Sequence, residues 1–266
     1  MLNKIKDLIL DPYPIRTIAK QLIKRFGTYE QRLKIGALDR PEYAYSVYNA
    51  AVLAKKLGYK KISVLEFGVA RGVGLLNLEY HSQEVAKLLG IEIEIYGFDT
   101  GEGLPEPEDY RDLPYHWKKG FYKMDVPGLE AKLKKSKLVL GDIRDTLKTF
   151  FEQYNPAPIG AIAYDLDFYS STVVALKMLE ADEKYFLPRI FCYFDDVLGT
   201  EIELYNDFIG ERLAIHEFNQ SHDNIKLGLP YHFLQHKVSQ AWFNKIWIGH
   251  FFKHSRYNDF VSTEGQ

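Results

Sequence analysis

The feature that most limits what this chain can fold into is a glycine turn. Residues 66–74 read Glu-Phe-Gly-Val-Ala-Arg-Gly-Val-Gly, with an apolar run, Lys61–Phe67, leading in and a helix-patterned stretch from about 73 to 89 leading out. Strand, glycine turn and helix in that order open a nucleotide-binding α/β unit, and the glycines carry meaning only in that setting. Gly68 and Gly72 let the backbone turn sharply and approach a ligand with no Cβ in the way. In open parallel sheets ligands bind beyond the carboxyl ends of the strands. A tight turn with no ligand would read the same, so the motif alone names no ligand.

The rest of the chain continues the alternation. Strands are expected at Ile91–Phe98, Leu138–Leu140, Ile159–Tyr164 and Ile190–Phe194, with helices over 129–136, 143–154 and 171–184 between them. Such alternation implies right-handed crossovers and a parallel sheet covered on both faces. After a helix near 201–219, Ile225–Leu229 and Lys245–Phe252 read as two late strands, which predicts an antiparallel hairpin at one edge of a seven-stranded Rossmann-like α/β sheet. Before the first strand, residues 1–60 read as a helical extension to a domain spanning 61–266. Leu2, Ile5, Leu8 and Ile9, then Ile15, Ile18, Leu22 and Ile23, keep a helical period broken by Pro12 and Pro14. A third helix runs from near Pro41 to near Gly58. These helices are expected to cap the domain or to pair with a second copy.

Charge excludes some partners. The net charge of -2 gives no basic footprint, so nucleic acid is not expected as a partner. No apolar run is long enough to span a bilayer, the N-terminal apolar residues are interrupted by Lys4, Lys6 and Asp7, and the single cysteine, Cys192, forms no internal disulfide. A cytoplasmic, membrane-free protein is the expectation.

Glu66 narrows the ligand. A carboxylate on the floor of a pyrophosphate pocket would repel a dinucleotide, and the spacing departs from G-x-G-x-x-G. It favours instead a ligand with an ammonium or sulfonium charge, as S-adenosylmethionine has. Asp99, ending the second strand, could accept hydrogen bonds from two ribose hydroxyls. Asp142 could accept from an adenine amino group with Ile143 beside the ring, or cap the helix over 143–154, and the two roles are compatible.

Acids gather at the far strand ends. Asp165 and Asp167 follow the fourth strand and would share a face if it continued; Asp195 and Asp196 follow the fifth. Converging carboxylates repel unless a cation sits among them, and a hard, oxygen-seeking ion such as Mg²⁺ is the economical choice. Helix capping is the other use of such acids. The histidines at 216, 222, 232, 236, 250 and 254 form no metal-binding pattern on a helix.

Together these motifs resemble the macrocin O-methyltransferase-like (TylF-type) branch of class I methyltransferases, whose members act on sugars and antibiotics. The resemblance covers about 60–200 and rests on EFGVARG at 66–72, FDTGEGLPEP at 98–107, GDIRDTL at 141–147, DLDFYSST at 165–172 and FDD at 194–196. It implies S-adenosylmethionine held by Glu66, Phe67, Gly68, Ala70, Arg71, Gly72, Asp99, Thr100, Asp142 and Ile143. It implies a divalent metal on Asp165, Asp195 and Asp196, with Asp165 as general base, and a small-molecule acceptor such as a sugar hydroxyl. It also implies that the 100–128 segment, with Tyr110, Tyr115, His116 and Trp117, covers the site. The chain departs from the family at Gly101, at Phe186–Arg189 and at Val197. The rival reading is a protein that keeps the fold for binding or scaffolding without chemistry.

Overall fold

The computed structural model describes residues 13–236 and 240–262, so the run from Leu2 to Ile9 lies outside the described residues. Three helices come first: α1 (Tyr13–Phe26), α2 (Tyr29–Lys34) and α3 (Pro41–Lys56). Thr28 and Gln31 start α2 with a reciprocal capping box, each side chain accepting from the other's backbone N–H. Ile18 and Leu22 do lie on a helix but are 60% and 55% exposed, so these two face outwards. In α3 the opposite holds. Tyr43, Ala44, Val47, Ala50, Ala51 and Ala54 are buried in the same core as the sheet, and a boundary at residue 60 therefore runs through one hydrophobic core.

Seven strands follow: β1 (Lys61–Phe67), β2 (Glu92–Asp99), β3 (Ser136–Leu140), β4 (Ile159–Tyr164), β5 (Phe186–Phe194), β6 (Ile225–Gly228) and β7 (Ile246–Phe251). They form one sheet in the order β3-β2-β1-β4-β5-β7-β6. The first five are parallel, and β7 runs antiparallel to both β5 and β6. The helices α4 (Val73–Leu89), α5 (Val126–Glu130), α6 (Ile143–Tyr154) and α7 (Tyr169–Leu176) lie in the connections between the parallel strands, and α8 (Gly210–Ser221) precedes β6. Strand β4 is buried at every position, as a central parallel strand must be. The order reverses between β1 and β4, which opens a crevice at their carboxyl ends. Among the described residues no helix is long and apolar enough to cross a membrane.

Three elements differ from expectation, each for a local reason. The helix expected over 129–136 stops at Glu130, because the buried Glu79 carboxylate of α4 takes the backbone N–H groups of Lys134, Lys135 and Ser136 and the Ser136 hydroxyl. The helix expected from 201 starts at Gly210, since Asn206 caps a turn by accepting from the Phe208 N–H at 2.9 Å. Strand β5 begins four residues early and carries Pro188, which cannot donate to a ladder. Its pairing with β4 jumps from Ile159–Phe186 to Ala161–Phe191 around that proline.

Glu79 gives a test of the fold. Burial raises its pKa, but the donors outweigh burial and hold it below the ordinary 4.5. A lowered carboxylate stabilises the fold above the unfolded pKa and loses that contribution as pH falls through the folded one. Glu79→Gln should cost about 1–3 kcal/mol at neutral pH. The deficit should shrink towards acidic pH, which urea unfolding at stepped pH checks.

Candidate functional site

The glycine turn is locked between the ends of β2 and β4. Gly68 donates to the Phe98 carbonyl at 2.9 Å, and Asp165 donates to the Phe67 carbonyl at 2.9 Å. Gly68 has φ of 83°, and a methyl in place of its hydrogen would lie 1.7 Å from the Asp165 carbonyl oxygen. No side chain fits there, so the turn lies directly against the backbone that carries Asp165. One Asp99 oxygen accepts from the N–H groups of Val69 and Ala70 at 2.9 and 2.8 Å, and the other from Gly101 at 2.6 Å. Three of about four acceptor positions are thus used. The grip on two ribose hydroxyls expected of Asp99 is reduced to one free position, on Oδ1.

A cavity of about 530 Å³ opens over this turn. All the residues expected to hold a cofactor are near it except Gly72, which caps α4 behind the turn; Glu66, Phe67, Gly68, Ala70, Arg71, Asp99, Thr100, Asp142 and Ile143 line it. Asp142 caps α6 by accepting from Arg144 N–H at 2.8 Å. Thr100 shapes its own turn, donating to the Gly103 carbonyl and accepting from the Glu102 N–H.

Glu66 is 1% exposed. Its Oε1 accepts from the Tyr43 hydroxyl at 2.6 Å, while Oε2 has no partner among the described residues. Gly74 makes room for it: a methyl there would come within 1.9 Å of Oε1. Burial pushes Glu66 up to about 8, against the Tyr43 hydrogen bond and the nearby Arg40 charge. An unpaired buried carboxylate oxygen is costly unless a donor arrives.

Next to Glu66 the other acids meet. Asp165, Asp195 and Asp196 bring one carboxylate oxygen each to within 4.8 Å of one another. Burial and the neighbouring Asp195, Asp196 and Glu66 push Asp165 well above its ordinary range. Burial and Asp195 push Asp196 up to about 7, opposed by the Asp167 N–H, the Tyr205 hydroxyl and Lys245. Lys245 Nζ lies 3.0 Å from Asp195 Oδ1, which also accepts from the Tyr193 hydroxyl. Asp167 does not share a face with Asp165 through the strand, because β4 ends at Tyr164 and Asp167 turns to φ of 59°. It donates its backbone N–H to Asp196 Oδ2 at 3.0 Å instead.

Several participants carry no signal in the sequence. Glu211, fully buried at the start of α8, accepts from the Asp196 N–H at 2.8 Å and so aims that loop. Tyr205 donates to Asp196 Oδ1 at 3.0 Å. Arg40 and Glu203 line the cavity. None belongs to a motif; only Arg40, directly before Pro41, sits at a recognisable helix start. The covering segment also differs. Of the four residues expected from it, Trp117 lines the cavity, joined by Leu104 and Tyr122, whereas Tyr110 and Tyr115 are 67% and 58% exposed. Buried Asp112 pins this segment by accepting from the Ser170 N–H and hydroxyl, both at 2.8 Å. Among the described residues the aspartate trio is the one group placed to hold a metal, and no histidine joins it.

No protein-family model and no curated protein matches this chain. Solved structures do. The calicheamicin methyltransferase CalS11 superposes with a TM-score of 0.53 at 18% identity, over 87% of this chain and 90% of that one. The O-methyltransferase NovP gives 0.51 at 14% identity, over 71% and 75%. The fold is therefore the Rossmann-like fold of the class I methyltransferases.

Because the folded Glu66 holds its proton up to about 8 while the unfolded chain releases it near 4.5, this group weakens the fold as pH rises through that window. Glu66→Gln should remove its share of the slope. Urea unfolding in steps across the window should show the variant gaining on the wild type as pH rises; parallel profiles would refute the assignment.

Proposed function

We propose that this protein is an S-adenosylmethionine-dependent O-methyltransferase acting on a hydroxyl of a sugar-containing or other small molecule, with Mg²⁺ on Asp165, Asp195 and Asp196. The observation that carries it is the buried, half-partnered Glu66 facing a cavity that ends at an acid cluster. A cofactor with an ammonium group fits the first and a hard divalent cation fits the second. The likeness in fold to CalS11, a calicheamicin methyltransferase, and to NovP, an O-methyltransferase, supports the same chemistry. The motif resemblance supports a sugar-bearing acceptor.

The bound groups would supply an electrophilic methyl and a positive charge that lowers the acceptor hydroxyl's pKa. The chain's own residues do the rest. Glu66 binds the ammonium, and the backbone from Gly68 to Ala70, held by Asp99, gives the ligand a surface free of bulky side chains. Asp165 takes the hydroxyl proton on its carboxylate. Leu104, Trp117 and Tyr122 cover the cavity and keep water from competing as acceptor. Orientation of the hydroxyl against the methyl supplies much of the rate. A purely scaffolding role leaves this concentration of buried acids without a use.

Asp196→Asn should weaken Mn²⁺ binding, read by electron paramagnetic resonance, on the order of 100-fold, and abolish methyl transfer. S-adenosylhomocysteine should still bind within a few-fold of wild type, as Asp196 is assigned to the metal and Glu66 to the cofactor. Unchanged methyl transfer in excess chelator would remove the metal from the mechanism.

A further inference from the structure

Arg40 stands out in the cavity wall for three independent reasons. Its backbone is left-handed, with φ of 43° and ψ of 63°, at the residue before Pro41. That conformation is unfavourable for a side-chain-bearing residue, and a following proline opposes it further. Strain of this kind persists where the surroundings over-determine it, often at a ligand site. Secondly, the guanidinium has no hydrogen-bond or ion-pair partner among the described residues; it lies 5.1 Å from the centroid of the Tyr43 ring. Thirdly, that same Tyr43 holds Oε1 of Glu66, whose Oε2 is unpartnered. One tyrosine thus carries a free cation on its face and a half-free carboxylate on its hydroxyl, and both groups line one cavity.

A carboxylate and a guanidinium presented side by side match an α-amino acid, which offers an ammonium to one and a carboxylate to the other. We propose that Arg40 anchors the α-carboxylate of an amino-acid-bearing nucleoside while Glu66 takes its α-ammonium, a proposal that rests on the cofactor reading above. The guanidinium suits this work because its planar fork can give a carboxylate two parallel hydrogen bonds. The absence of an ion pair to Glu66 or Asp165 matters too, since those donors are not spent on the protein. Arg40 is then a binding residue that fixes which way round the ligand lies, with its amino-acid end towards α3 and the nucleoside towards Asp99 and Asp142.

The test compares two probes by calorimetry. S-adenosylhomocysteine carries the amino-acid end; 5′-methylthioadenosine lacks it and keeps the nucleoside. Arg40→Asn is the main variant, because asparagine tolerates left-handed backbone and is a good helix N-cap, so the fold should survive. It should bind S-adenosylhomocysteine roughly 10- to 100-fold more weakly, with methylthioadenosine affinity unchanged. Arg40→Lys should recover part of the loss by keeping the charge. Full S-adenosylhomocysteine affinity in Arg40→Asn, or an equal loss for both probes, overturns the assignment and leaves the cofactor reading standing. Wild-type protein that binds neither probe overturns the cofactor reading, and the role of Arg40 with it, before any variant is made.

Discussion

Negative charge crowded at the carboxyl ends of three adjacent strands is the constraint to which the rest of this structure answers. Glu66 comes from β1, Asp165 and Asp167 follow β4, and Asp195 and Asp196 follow β5, with Glu211 buried behind them. Taking charges out of water costs several kcal/mol per ion unless each finds partners. The chain meets that cost with specific donors. Tyrosines 43, 193 and 205 each give a hydroxyl to a carboxylate, Lys245 pairs with Asp195, and backbone N–H groups serve Asp196 and Glu211. Some of the 19 tyrosines thus serve carboxylates as well as packing in the interior. The donors leave Glu66 Oε2 and Glu211 Oε1 unmet; on the cavity itself, Glu66 Oε2 and the aspartate trio are the two places where positively charged groups from outside would fit.

The two places are mechanically joined. Gly68 presses its backbone against the Asp165 carbonyl, and Asp99 ties the following residues to the end of β2. The surface offered to one ligand and the carboxylate offered to the next are therefore parts of one rigid arrangement. Pre-positioning of this sort is how an active site turns binding geometry into rate. The covering segment is held at two points, by Gly101 on the same Asp99 and by Asp112 on Ser170 at the N-terminus of α7.

Much of this was legible in the sequence where local pattern decides. The boundaries of β1, α4, α6 and β4 follow from apolar runs, the glycine turn and the Asp142 cap. The largely parallel sheet and its antiparallel edge follow from the alternation of elements and the late pair of strands. Long-range partners were not legible. Nothing near residue 130 announces that Glu79, some fifty residues earlier, will end a helix there by taking its N–H groups. Nothing around 211 marks that glutamate as the support for Asp196. Asp99 shows the opposite failing: its residue type fits a ribose, yet its oxygens are largely taken by the turn it supports. The identity of a carboxylate can be read from sequence, but its free lone pairs cannot.

A crystal structure of the protein grown with S-adenosylhomocysteine and Mg²⁺ tests the central claim most directly. The account predicts the nucleoside lying along the glycine turn, its ammonium within hydrogen-bond distance of Glu66 Oε2, and an ion shared by Asp165, Asp195 and Asp196. An empty cavity at saturating ligand, or a ligand bound with Glu66 Oε2 still unpartnered, would contradict it.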